Sequence, residues 1–210
     1  MVLSVAAVPN VDGAIAALVR SEGSAAEPWP AALLASVDPR DLTDTVHALC
    51  ILYGGHPDPI AAATARSDDR ALRRWLADAA DAFTTERQAL AAVVAAAGPL
   101  PSTPNQAQSE ATLAHQRHAL ETLARSDRAG CAIGAAVALV LDWRAVRRVV
   151  NRVAARAGVD LAPLRLPGEE PPAVVDPLLE RARLFGARQL LTQQRGLWQL
   201  LEARAAARRH

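Results

Sequence analysis

The chain has no lysine: each of its 23 basic residues is arginine. Aromatic residues make up 3% of it, and it has 2 cysteines. Cys50 and Cys131 lie far apart in sequence, without the CxxC or Cys/His spacing of a zinc site or redox pair, so they read as reduced core thiols. A GxSxG nucleophile elbow, a phosphate-binding GxxxxGK[ST] loop and a GxGxxG turn are all missing, which counts against nucleophilic catalysis and nucleotide hydrolysis. The longest uncharged apolar run, residues 129–141, spans about 20 Å as a helix, short of the roughly 30 Å of a bilayer. Residues 1–8 are mildly apolar, but no basic residue precedes Arg20 and Pro9 follows at once, so no signal peptide is expected. The cytoplasm is the default expectation, with no membrane partner. A formal net charge of +1 gives no sequence-wide field toward nucleic acid.

What is present is apolar and helical. Residues AVILMFWYC make up 51% of the chain, and alanine alone supplies between a fifth and a quarter of it. That composition suits one all-α domain over residues 1–210, with helices packed closely around small side chains. The all-arginine cation set reads as the compositional habit of a GC-rich genome. Strand-like alternation and internal repeats are absent.

Punctuation places the helices. Asp38-Pro39, Asp58-Pro59, Thr103-Pro104 and Asp176-Pro177 each put a side-chain oxygen at a helix N-cap and proline at the first helical position. Thr103 with Gln106 forms a capping box, and Asp41 adds a negative charge to the first turn after Asp38. Short helices are expected near residues 11–20 and 31–37, then over 39–53 and 59–66. Longer ones are expected over 69–97, 104–125, 128–157 and 177–207, two of them ended by Gly98-Pro99 and Gly158. Ser126-Asp127 is a tight turn or a kink. The expected architecture is four long helices in a bundle over residues 69–207, with the short N-terminal helices of residues 1–68 packed on one side. Residues 129–141 form its central helix, where Gly130 and Gly134 let a neighbour approach closely.

Polar residues interrupt the apolar faces. Leu72, Leu76, Ala79, Phe83, Glu86, Leu90 and Val93 follow helical spacing, so a carboxylate lies on a buried seam. It must be neutralised, paired or hydrogen-bonded there. Asp142 falls in the apolar sector set by Leu139, Val146, Val149, Val150 and Val153, while Arg144, Arg147, Arg148 and Arg152 turn the other way. Gln194 projects from the broad apolar face of the last helix, with Glu180 and Arg183 nearby. Gln116 and Arg117 take the matching slots between Leu113 and Leu120. Glu86, Gln116, Arg117, Asp142, Gln194, Glu180 and Arg183 are thus the candidate polar layer of the core. Three readings stand for it: a satisfied structural layer, a carboxylate metal site, and a small-ligand pocket.

With acids projected inward from several long helices, residues 69–207 resemble the ferritin-like carboxylate proteins. The resemblance implies an oxidoreductase holding iron or manganese. The ExxH pairs of that family are missing, since Ala89 follows Glu86, Arg183 follows Glu180 and Ala124 follows Glu121 at the third position. No metal or other cofactor is expected on the residues alone, and a metal reading would require His47, His115 or His118 to swing inward. His115, His118 and Glu121 share one helix face and form a second possible site, which reads better as solvated, as does His47 off its stripe. His56 belongs to a Gly-Gly-His-Pro turn.

The arginines of residues 144–156, with Arg204, Arg208 and Arg209, are the candidate anion surface, and Trp143 or Trp198 could stack on a base. Against this, Asp160, Glu169 and Glu170 can answer the first group, and the second suits a helix C-terminus. Nucleic acid is accordingly a poor partner. The sequence reads best as a non-catalytic binding or scaffolding protein for an unknown protein or small ligand, with a homodimer possible; a metal-carboxylate oxidoreductase and an arginine-face anion binder are the alternatives.

Overall fold

A computed structural model describes residues 13–55, 59–128, 130–171 and 176–209. Among them are no strand and the helices α1 (Ala14–Glu22), α2 (Pro28–Ala35), α3 (Pro39–Tyr53), α4 (Pro59–Ala65), α5 (Arg70–Ala97), α6 (Gln106–Ala124), α7 (Cys131–Ala157) and α8 (Pro177–Arg209). The all-α expectation holds.

The start signals act largely as read. Asp38 and Asp69 accept from the backbone N–H groups of Arg40 and Leu72 at 2.8 and 2.6 Å, and Asp176 accepts from that of Leu178 at 2.9 Å. Asp58 and His56 lie outside the described residues, as does the expected start of α1 before Gly13. Gly98 and Gly158, at φ 86° and 69°, end α5 and α7 in the left-handed region that glycine enters without penalty. Several boundaries differ from expectation. α2 starts three residues early, with Pro28 in its first turn, and ends two early; α7 begins at Cys131 and not at residue 128; and the N-cap position of α6 falls on Asn105, at φ 56° and without a side-chain cap bond, in place of Thr103. Thr103 instead accepts from Arg208. Ser126-Asp127 belongs to a break between α6 and α7.

The packing centres on α7, which touches each of the other seven helices. Its first half, Cys131 to Val140, is buried without interruption, the all-round burial expected of that apolar run. The finer arrangement departs from a bundle of long helices with short ones on one side. α5 packs on α7, α3 and α4, while α3 and α4 also pack on α6, so short helices stand between the long α5 and α6. α1 and α2 each pack on both α7 and α8. No helix among the described residues is long and apolar enough to cross a membrane.

The α7/α8 contact is backbone on backbone. A Cβ on Gly134 would fall 1.8 Å from the carbonyl oxygen of Arg183, and one on Gly186 would fall 2.0 Å from that of Cys131. Small residues permit this approach, and the added methyl could be housed only by prising the helices apart. Gly186→Ala is therefore expected to cost about 1–3 kcal/mol, as is typical of overpacking, seen as a lower urea midpoint at unchanged slope. A midpoint at or above wild type would refute the close contact.

Candidate functional site

Asp142 and Glu86 are 1% and 3% exposed, so both acids lie in the interior. They serve separate networks. Asp142, midway along α7, accepts from the backbone N–H and hydroxyl of Ser24 at 2.7 and 2.5 Å and from the Gln194 amide at 3.1 Å. Around it, the Tyr53 hydroxyl donates to the Gln194 oxygen and the Trp198 indole donates to Ser24 Oγ, each at 2.8 Å. Gly23 leaves the room, since a Cβ there would lie 2.5 Å from Asp142 Oδ1. The α1–α2 turn, α3, α7 and α8 thus meet at one carboxylate.

Glu86 of α5 is met by a cation. Arg147 donates to both of its oxygens, and the Trp143 indole donates to Oε2 at 3.0 Å. Arg147 also reaches Asn151 Oδ1 at 2.8 Å and the Ala162 carbonyl at 2.7 Å, which ties down the connection after α7. Trp143 stands edge-on to both Tyr53 and Phe83, with centroids 5.5 and 4.7 Å away.

Burial pushes the Asp142 carboxyl above the ordinary aspartate range, and the three hydrogen bonds from Ser24 and Gln194 oppose that push without cancelling it. The Tyr53 hydroxyl is raised by burial first and by the nearby Asp142 charge second.

The other expected members of the layer do not join these networks. Gln116 is buried beside Gly196 with its Oε1 unpartnered. Arg117 is exposed and bonds Glu121 at 3.1 Å, so it leaves the core altogether. Arg183 is 1% exposed, has Glu180 only at 4.0 Å, and keeps Nε and Nη2 without acceptors. One layer is thus replaced by two networks and isolated polar positions, because α7 buries more than one face and sends Asp142 and Glu86's partner Arg147 to different neighbours. The histidines stay outside: His47 bonds the Gly98 carbonyl at 2.8 Å, and His115 and His118 are exposed. Among the described residues no three His, Cys, Asp or Glu side chains converge on a point where an ion could sit.

Several functional-looking residues escaped the sequence reading. Arg147 was expected on the outer face, yet its side chain is 5% exposed; it lies four residues after Trp143, on the same stripe. Of the terminal arginines Arg209 is exposed, but Arg204 and Arg208 are not solvated helix-end cations. Arg204 grips Asp44 through Nε and Nη2, each at 2.9 Å, and Arg208 bridges Asp44 and Asp41, each at 2.7 Å. Asp44 follows Asp41 by three residues, a spacing that marks a shared helix face, but nothing in the sequence pairs that face with residues 204–208. Ser24 gave no signal at all. Trp143 and Trp198 are each 1% exposed, so neither is available to stack on a base.

One cleft opens beside this interior. It measures about 470 Å³ and lies between α1, Ala25, the outer face of α7 and Leu164. Arg20, Arg144, Arg148 and Asn151 line its polar side; Val19, Leu141 and Ala145 line its apolar side; Asp142 and Arg147 reach its floor. Among the described residues Arg148 meets no hydrogen-bond or ion-pair partner, and Arg144 meets only the Leu166 carbonyl, at 3.4 Å. Of the acids expected to answer them, Glu170 instead accepts from the Ala16 N–H at 2.9 Å in the first turn of α1.

By sequence the chain belongs to a family of unknown function, DUF6975, whose model matches residues 19–209. No curated protein and no solved structure matches it.

The two acids should respond differently to substitution. Truncating Glu86 to Ala strands a buried guanidinium and is expected to cost about 3–5 kcal/mol, whereas Glu86→Leu combined with Arg147→Met should recover most of that loss. Equal losses for the two variants in urea melts would refute the ion-pair account. Asp142 adds a pH signature. Its folded-state pKa is raised, so the native chain holds the proton longer than the unfolded one, and stability falls as pH climbs from about 3.9 toward the raised value. Measured across that window, wild type should lose stability relative to Asp142→Asn with rising pH; parallel profiles would show that burial does not perturb the group.

Proposed function

We propose that this protein is a non-catalytic binding protein that takes a small anionic ligand in the cleft between α1 and α7. The observation that carries this reading is the pair of guanidinium groups of Arg144 and Arg148, which line the cleft and meet no carboxylate among the described residues. Three buried guanidiniums elsewhere do meet acids, Arg147 at Glu86, Arg204 at Asp44 and Arg208 at Asp41. A guanidinium left open beside a concavity offers a planar fork of donors suited to a carboxylate or phosphate. A volume of about 470 Å³ falls in the range of small-molecule sites, which run from about 300 to 1,000 Å³.

The buried networks support the same reading as scaffold. Asp142 and Glu86 fix the register of α7 against α5, α8 and the α1–α2 turn, so the arginines one turn away project from a rigid floor. Metal-carboxylate chemistry gains no such support, because each acid is already occupied by donors and none of the candidate histidines reaches it.

A thermal-shift panel of carboxylates, phosphates and sulfates tests the proposal. At least one class should raise Tm in wild type, and the rise should shrink at least tenfold in apparent affinity in Arg144→Gln/Arg148→Gln. A panel without any shift, or shifts identical in the double variant, would overturn it.

A further inference from the structure

The cleft has a directional chemistry. Arg20, Arg144 and Arg148 are exposed residues on its polar side, whereas Val19, Ala25, Leu141, Ala145 and Leu164 give it a largely aliphatic wall. Among the described residues no aromatic side chain lines it. The nearest indoles in sequence and network, Trp143 and Trp198, are committed to Glu86 and Ser24 inside the core. Asn151, the sole uncharged polar side chain among the described lining residues, already spends its amide oxygen on Arg147. A nucleobase would therefore find neither a ring to stack on nor a donor–acceptor pair to read its edge.

The floor sets the orientation of a guest. Asp142 accepts three hydrogen bonds from Ser24 and Gln194, so it presents no donor to a ligand, and its carboxyl disfavours an anionic head placed beside it. The cationic rim does the opposite. An anion is thus drawn to the mouth, beside Arg144 and Arg148 on α7, and the rest of the molecule must cover aliphatic wall.

We propose that the ligand is a monomeric aliphatic acid, a single hydrocarbon chain ending in one carboxylate or phosphate, seated with its head at the arginine rim and its chain along Leu141, Ala145 and Leu164. This rests on the cleft being the binding site. The specificity is distinct from anion binding as such: transfer of each methylene from water to the wall strengthens binding, while the arginines contribute the same increment to every homologue.

Calorimetric titration of the full chain with the straight-chain carboxylates from butanoate to decanoate tests the assignment, with octanol, inorganic phosphate and adenosine monophosphate as controls. Kd is expected to fall about three- to fourfold per added methylene until the cleft is filled. Octanol should bind at least tenfold more weakly than octanoate. Ala145→Leu should flatten the chain-length series without removing weak binding of butanoate; Ala25→Leu, across the cleft, makes the same test if Ala145→Leu fails to fold. Arg144→Gln/Arg148→Gln should weaken all the acids by a similar factor. Inorganic phosphate or adenosine monophosphate binding as tightly as octanoate, with the arginine dependence intact, would overturn the aliphatic assignment and leave the anion-binding role standing. A chain-length series that survives both cleft-filling variants would also overturn it. No binding by any acid or control anion would remove both.

Discussion

A helix that touches every other described helix has only a narrow solvent side on which to put a charge. α7 is in that position, and near its middle it carries Asp142 and Arg147 in place of aliphatic residues. Each must find its partners inside the protein, since an uncompensated charge in the interior costs several kcal/mol. The rest of the structure is arranged around meeting that demand. The α1–α2 turn delivers Ser24, α8 delivers Gln194, α5 delivers Glu86, and the connection after α7 folds back so that the Ala162 carbonyl reaches Arg147. These contacts link segments distant in sequence, and directional bonds fix their register more narrowly than hydrophobic contact could. Gly134 and Gly186 supply the other constraint, by bringing α7 and α8 close enough for Gln194 to reach Asp142.

The two acids meet the same demand in different ways. Glu86 has a formal counter-charge and two oxygens bound by one guanidinium, an arrangement arginine supports because it offers several donors in one plane. Asp142 has neutral donors alone. Hydrogen bonds from a hydroxyl, an amide and a backbone N–H stabilise a carboxylate, but they do not restore what burial removes, and the carboxyl is left above its ordinary range. A buried acid in that condition marks a functional site in many proteins, although structural networks produce the same perturbation. Here its oxygens point into a satisfied shell, which assigns it to the frame of the cleft more readily than to a reaction.

Much of the helical plan is legible in the sequence because capping and periodicity are local. Pro39–Tyr53 and the ends of α5 and α7 at Gly98 and Gly158 follow from side chains within a few residues. The burial of Glu86, Asp142 and Gln194 also follows, since each interrupts a stripe of apolar residues at helical spacing. Their partners do not follow. Which neighbour a buried acid meets depends on the order of helices around α7, and no short-range signal encodes it. The assignment of Arg147 to the outer face illustrates the difficulty: a helix covered on one side has a single stripe, whereas a central helix has a stripe wide enough to take in residues 143 and 147 together. Arg204 and Arg208 fail for a related reason, because a run of arginines at a helix end resembles solvated charge until Asp41 and Asp44 are seen across from it.

The absence of lysine sharpens the contrast among the arginines. With one cation type throughout, composition cannot tell structural guanidiniums from open ones, and the distinction must come from partners. Arg147, Arg204 and Arg208 each bind a carboxylate and are largely buried. Arg144 and Arg148 occupy the same helix as Arg147, one on either side of it in sequence, yet neither meets an acid. On an open convex surface that would mean little, because exposed ion pairs contribute at most about 1 kcal/mol and their absence costs nothing. Beside a concavity with an aliphatic wall the case changes. Water is held less freely there, the positive potentials of neighbouring guanidiniums add, and an anion that fills the space gains from both charge and burial. The cleft-facing Arg144 and Arg148 are therefore set apart from Arg147, Arg204 and Arg208, whose carboxylate partners lie inside the fold.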